Sequence, residues 1–231
     1  MKASSAFTWI LPLGCAALLS CNAGQPLPQC TIGRGEHAVR YTLVRGSGPC
    51  ATKTAEKIGG QIFRTPGSGV PPTLAFKPSP LAANEGRDTA NPVTAMGDFT
   101  TEYPSEDELC VVPAMAEARQ RITQTDGTTK DIRYQFNNVR VQGSAAIPGT
   151  QWVADLVYTE DDCTAEYVAV GMFPALTCLR PVAGGPAERD PSYCQTPRPG
   201  LSIDPAFPTT CDEGTHLCVL KGDPPSLVRQ Q

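Results

Sequence analysis

The strongest constraint on this chain is an even set of eight cysteines, Cys30, Cys50, Cys110, Cys163, Cys178, Cys194, Cys211 and Cys218, placed behind an export leader. Lys2 and the chain's amino group make a short positive start. Ala6 to Leu19 then runs without a charge, and small Ser20 precedes Cys21. That order reads as a secretory signal over residues 1–20; a spanning helix needs about 20 apolar residues. In an exported chain an even cysteine count is most simply four disulfides. Far too many connectivities are open for sequence to choose among them, but short separations favour Cys30 with Cys50 and Cys211 with Cys218. No Cys-x-x-Cys occurs, and His216-Leu217-Cys218 lacks the spacing of a four-ligand zinc site, so no metal or other cofactor is expected.

Leu18-Leu19-Ser20-Cys21 resembles the lipobox of bacterial lipoproteins. The resemblance implies that Cys21 becomes the first mature residue, with a diacylglyceryl group on its sulfur and a further acyl chain on the new amino terminus. Cys15 is a poorer match, because Pro12 stands where the lipobox has leucine. Cleavage near Ala23-Gly24 would instead leave no anchor. Two or more acyl chains hold a protein firmly to a bilayer where one holds only marginally. Asn22, in place of the aspartate that favours inner-membrane retention, implies the outer membrane, with the domain facing the periplasm or the cell surface. Residues 21–35 are then a lipidated tether. From Cys21 to Cys30 it spans at most about 30 Å when fully extended.

Residues 36–180 carry the β signal. His37 to Arg45 alternates polar and apolar residues and is rich in branched and aromatic ones, and Gln61 to Arg64 and Thr73 to Lys77 are shorter strand candidates. Lys77 to Asn91, with Pro78, Pro80 and Gly86, reads as a long loop. The clearest hairpin joins Ala114–Thr123 to Lys130–Gln142 through Asp126-Gly127, a dipeptide that tolerates positive φ. Ile132, Tyr134 and Phe136 fall on one face of its second arm. The first arm has helix-forming alanine, glutamate and arginine, but its partner and turn favour a strand. Trp152–Tyr158 and Glu166–Met172 form a further pair across Glu160-Asp161-Asp162. The expected fold is mainly β, an antiparallel sandwich or barrel-like sheet with long loops rich in proline and glycine. Residues 181–231 read as an irregular, apolar-poor appendage that cross-links hold in place of a core.

Chemistry is sparse. Losing residues 1–20 removes only Lys2, leaving 18 basic against 23 acidic side chains, and no basic cluster suits nucleic acid. His37 and His216 are the only histidines, and both read as surface or turn residues. No Gly-x-Ser-x-Gly elbow is present, and four bridges would leave no free thiol as nucleophile. Glu106-Asp107-Glu108 and Glu160-Asp161-Asp162 match no calcium loop and read as solvated turns. Tyr41, Trp152, Tyr158, Tyr167 and Phe173 would line a glycan or peptide groove if exposed, but aromatic residues on strands more often fill a core. The expectation is a membrane-anchored lipoprotein with a non-catalytic structural or interaction role in the envelope, whose partner is an envelope protein or glycan. The alternative is a small-ligand or glycan-binding lipoprotein.

Overall fold

The computed structural model describes residues 28–65, 69–198 and 202–222. The leader, Cys15, the lipidation candidate Cys21 and the first part of the tether lie outside the described residues.

Nine strands form one antiparallel sheet: β1 (Gly35–Arg45), β2 (Ala55–Phe63), β3 (Thr73–Pro78), β4 (Ala95–Asp98), β5 (Leu109–Ala114), β6 (Ala118–Thr123), β7 (Thr129–Gln142), β8 (Gln151–Glu160) and β9 (Cys163–Met172). Their order is β4-β3-β2-β1-β9-β8-β7-β5, with β6 beside the other half of β7. The sheet curls until its ends nearly meet. The Ala116 N–H donates to Met96 O at 2.7 Å and the Thr100 N–H to Val111 O at 2.9 Å, which closes a barrel. Gly97 permits this seam, since a Cβ there would lie 2.6 Å from Ala114 O.

Local sequence explains the strands. On β7 the alternating Ile132, Tyr134 and Phe136 all point inward and are buried. Gly127 takes φ 84° in the turn before it, while the Asp126 carboxylate accepts the Thr128 N–H at 2.9 Å. The strand then bulges at Asn138, φ 49°, where the register with β8 shifts. Of the expected hairpin arm Ala114–Thr123, Ala114 ends β5, residues 115–117 cross over, and only Ala118–Thr123 form the strand β6 beside β7. The long loop 77–91 holds one helical turn, α1 (Ser79–Ala82), and its far end covers the open edge of β6 through Arg119 N–H to Pro92 O at 2.8 Å.

The interior is packed with rings. Phe76 lies 4.5 Å from Trp152 between ring centroids and 5.4 Å from Phe136, and Tyr134 lies 5.0 Å from Tyr158. Such pairs add to the burial of large apolar area.

The appendage differs from the sequence expectation. It contains β11 (Glu188–Arg189), which pairs with β10 (Leu179–Arg180) just before it, a 3₁₀ turn at Pro191–Gln195, and β12 (Thr209–Cys211) paired with β13 (Cys218–Leu220). Rather than lacking a core, it makes one against the outer face of β8 and β9. Val153, Val170 and Met172 point out of the barrel there, into Leu176, Ile203, Phe207 and Leu220. Leu217 and Val219 cover Ala38 and Ala55 beside them, and the Arg40 guanidinium donates to Leu220 O at 3.0 Å.

The described residues form four disulfides, but the two short-range pairings expected from sequence are wrong. The bridges are Cys30–Cys110, Cys50–Cys163, Cys178–Cys211 and Cys194–Cys218. Cys30 and Cys50 sit at opposite ends of the barrel. The end holding Cys30, where β5 and β8 begin, is the proximal end, and the end holding Cys50 is distal. Cys211 and Cys218 do face each other across β12 and β13, yet each bonds to a different segment.

Candidate functional site

The densest group of ionisable side chains lies inside the distal end. Glu56 is one of the few buried charged residues, because β2 turns it into the barrel. Lys53, in the turn before β2, reaches in after it and donates to Glu56 Oε2 at 2.7 Å and to the Tyr134 hydroxyl at 3.0 Å. The Tyr134 hydroxyl donates to Glu56 Oε2 at 3.0 Å, and the Tyr41 hydroxyl donates to Oε1. The Lys53 ammonium also sits 4.4 Å from the centroid of the Tyr158 ring, 5.2 Å from that of Tyr134 and 5.4 Å from that of Tyr41. Three ring faces and one carboxylate therefore enclose one cation.

This cluster is poor at proton transfer. Burial, and then the charge of Glu56, push the Tyr41 and Tyr134 phenols well above their ordinary range. Burial does the same to Tyr158, whose hydroxyl donates to Glu160 at 2.6 Å. Each phenol stays protonated at neutral pH, and the one buried carboxylate already accepts from an ammonium and two hydroxyls. The arrangement neutralises itself and holds the distal end shut, next to the Cys50–Cys163 bridge. Tyr167 ties it to that bridge by donating to Cys50 O at 2.5 Å and accepting the Lys53 N–H at 3.2 Å.

His37 is not the surface or turn residue expected. It is fully buried and points into the barrel. Its Nε2–H donates to Gly33 O at 2.8 Å, and its Nδ1 accepts the Trp152 indole N–H at 3.2 Å. Burial lowers its pKa to about 4, partly opposed by the bond to Gly33. Both ring nitrogens of this neutral imidazole are occupied, so it has no lone pair to serve as a base. His216 is a turn residue, with φ 56°.

The other sequence candidates fall as follows. Tyr41, Trp152, Tyr158 and Tyr167 are core residues, and Phe173 packs 5.2 Å from the His37 ring. Glu108 lies at the proximal end and Glu160 at the distal end, so the two acidic runs cannot share an ion. The sulfurs of Cys178, Cys194 and Cys218 lie within 4.8 Å of one another, but each belongs to a disulfide and is no thiolate ligand. Lys53, Glu56 and Tyr134 carried no signal as a site, since Thr-Lys-Thr-Ala-Glu-Lys reads as an ordinary charged loop.

Several cavities open to the outside, among them one of about 500 Å³ on the barrel's outer wall beside Phe63, Lys77 and Met96. Another of about 740 Å³ lies between the appendage and the barrel, lined by Ile147, Phe173 and Phe207 with Arg198 and Asp204 at its polar side. Arg198 stacks 4.0 Å over Tyr193 and donates to Thr177 O at 2.7 Å. A smaller one of about 210 Å³ lies at the proximal end beside Tyr103, Glu108 and Ser144.

A filled, disulfide-linked β-barrel behind Leu18-Leu19-Ser20-Cys21 has the build of a bacterial lipoprotein. Comparison with known proteins gives the family. The MlpA family profile matches residues 35–174, the barrel from the start of β1 to just past β9. A protein of Myxococcus xanthus named "Putative lipoprotein MlpA" is 32% identical over 238 residues, covering 95% of this chain and 97% of the relative. The chain belongs to the MlpA family. No solved structure matches it.

Proposed function

We propose that acyl chains on Cys21 hold this lipoprotein in the outer membrane, where it serves a non-catalytic structural or interaction role. The observation that carries the reading is the closed barrel interior. Its ion pair and tyrosines are spent on one another and its histidine on Gly33 and Trp152, which leaves the outer surface to meet an envelope protein or a glycan. The lipobox and the lipoprotein name of the relative support the anchor, and Asn22 supports the outer membrane. Density-gradient separation of the two membranes tests the location. The wild type should band with outer membrane and Asn22→Asp with inner, and a wild type banding with inner membrane refutes it. For the role, His37→Gln and Lys53→Met/Glu56→Gln should each complement a deletion strain and return it to the wild-type phenotype. Failure of either variant, when folded and correctly sorted, would argue for catalysis.

The cavity under the appendage favours binding of a small ligand as a second reading. Its volume lies within the ~300–1,000 Å³ usual for ligand sites, and its lining combines apolar Ile147, Phe173, Ile203 and Phe207 with Thr150, Ser202, one guanidinium and one carboxylate.

A further inference from the structure

The tether meets three exposed apolar side chains at one end of the barrel. Cys30 is clamped there by two loops. Its N–H donates to Glu102 O at 2.9 Å in the loop between β4 and β5, and its carbonyl accepts from Arg64 Nη2 at 2.6 Å in the loop between β2 and β3. The bridge to Cys110 fixes the same point to the start of β5. Those two loops and the strand end between them carry Phe63, Val70 and Tyr103, which are 48%, 62% and 43% exposed. Among the described residues the other exposed large apolar side chains are Leu43 and Val44 at the distal end and Met96 on the wall, in the same cavity as Phe63.

We propose that this proximal rim is a lipid-contacting surface, so that the domain stands end-on with Phe63, Val70 and Tyr103 in the headgroup region of the membrane that holds the anchor. The proposal rests on lipidation of Cys21. Nine peptide steps keep Cys30 within about 30 Å of that residue, and the distal end lies a strand length further out. Tethering makes the contact intramolecular, so a weak apolar insertion is populated without needing affinity of its own. Phenylalanine and tyrosine suit the apolar-to-polar boundary of a bilayer. The charge at this end selects the lipid. Glu102, Glu106, Asp107 and Glu108 in the loop between β4 and β5 outnumber Arg34 and Arg64 at this end and oppose an anionic surface, so the rim fits zwitterionic phospholipid.

The test uses the full lipidated chain in phosphatidylethanolamine/phosphatidylcholine vesicles, some with lipids brominated near the headgroup. Once the leader is removed, buried Trp152 is the only tryptophan, and it gives a constant background. Phe63→Trp places a probe on the rim, and Val44→Trp places one at the distal end. The expected result is a blue shift and an about twofold loss of the added emission for Phe63→Trp at an insertion depth of ~5–10 Å, with no change for Val44→Trp. Equal quenching of both probes, or none for Phe63→Trp in protein that floats with the vesicles, overturns the orientation while leaving the anchor intact. A blue shift without bromine quenching would mean that protein, such as a second copy, covers the rim, and also overturns it. Protein that fails to float removes both the anchor and the rim.

Discussion

His37 makes the fold sensitive to mild acid. Its imidazole is buried and neutral, with Nδ1 accepting from the Trp152 indole. Protonation would put a second N–H where that donor already points. The pKa is lowered from 6.5 to about 4 by burial. Because the folded value lies below the unfolded one, the unfolded chain binds more protons as the pH drops, and stability falls with it. No loss is felt well above pH 6.5. It grows as the pH descends from there and levels off below 4 at about 3.4 kcal/mol. Between pH 7 and pH 5 this one residue removes about 2 kcal/mol, a sizeable part of a stability of ~5–15 kcal/mol. Urea unfolding of the oxidised mature domain, followed by Trp152 fluorescence at pH 7, 6 and 5, measures the slope. His37→Gln keeps an N–H for Gly33 but cannot titrate. It should be about 1–3 kcal/mol weaker at pH 7 and lose about 2 kcal/mol less than the wild type on going to pH 5. Carboxylates held low in the fold, such as Asp131 beside Arg119 and Arg133, act equally in both proteins and cancel in the difference. Parallel slopes for the two proteins would refute the reasoning.

Three further outcomes follow from the packing. Gly171→Ala places a Cβ 2.0 Å from Trp152 Cε2 and should cost about 3 kcal/mol in urea unfolding, whereas a cost under about 1 kcal/mol would mean that the indole moves freely. Cys50→Ala/Cys163→Ala opens a loop of sequence separation 113, and chain entropy sets the loss of stability at up to about 4.8 kcal/mol in guanidinium unfolding. Glu56→Gln leaves the Lys53 ammonium enclosed without its carboxylate and should cost about 3–5 kcal/mol, and adding Lys53→Met should recover at least about 2 kcal/mol of that by removing the stranded charge.

The strands were legible wherever one face is core and the other is not. β7, β8 and β9 alternate because each runs between the ring-filled interior and a polar or appendage-covered outside. β2 was visible only at its end, Gln61 onward, although it starts at Ala55. Gly59-Gly60 hid the rest, and the structure gives the reason: a Cβ at Gly60 would lie 2.8 Å from His37 Nε2. β5 is concealed for a different reason: this short strand beside the seam carries near its end Pro113, which has no N–H to give a ladder. The distal cluster was illegible for another reason. Lys53 and Glu56 meet Tyr134 and Tyr158 only because β2 and β7 curve around one barrel, and neither segment shows in its own residues that it points inward at that level.

Disulfide pairing failed where closeness along the chain was taken for closeness in space. A short separation helps two thiols meet in the unfolded chain, but the surviving pairs are those whose Cα atoms the fold brings to 5.6–5.8 Å. On the barrel those pairs link its ends: Cys30–Cys110 fastens the incoming tether, and Cys50–Cys163 fastens the turn that delivers Lys53. In the appendage, β12 and β13 already align Cys211 with Cys218, so a bridge between them would only repeat a constraint that the ladder supplies. Bonding instead to Cys178 and Cys194 joins this hairpin to the residue just before β10 and to the 3₁₀ turn. A segment with four short strands and a small apolar face gains more from links between its pieces than from links within them. The cysteines thus follow the same division as the packing: one pair at each end of the barrel, and two pairs binding together the layer laid over β8 and β9.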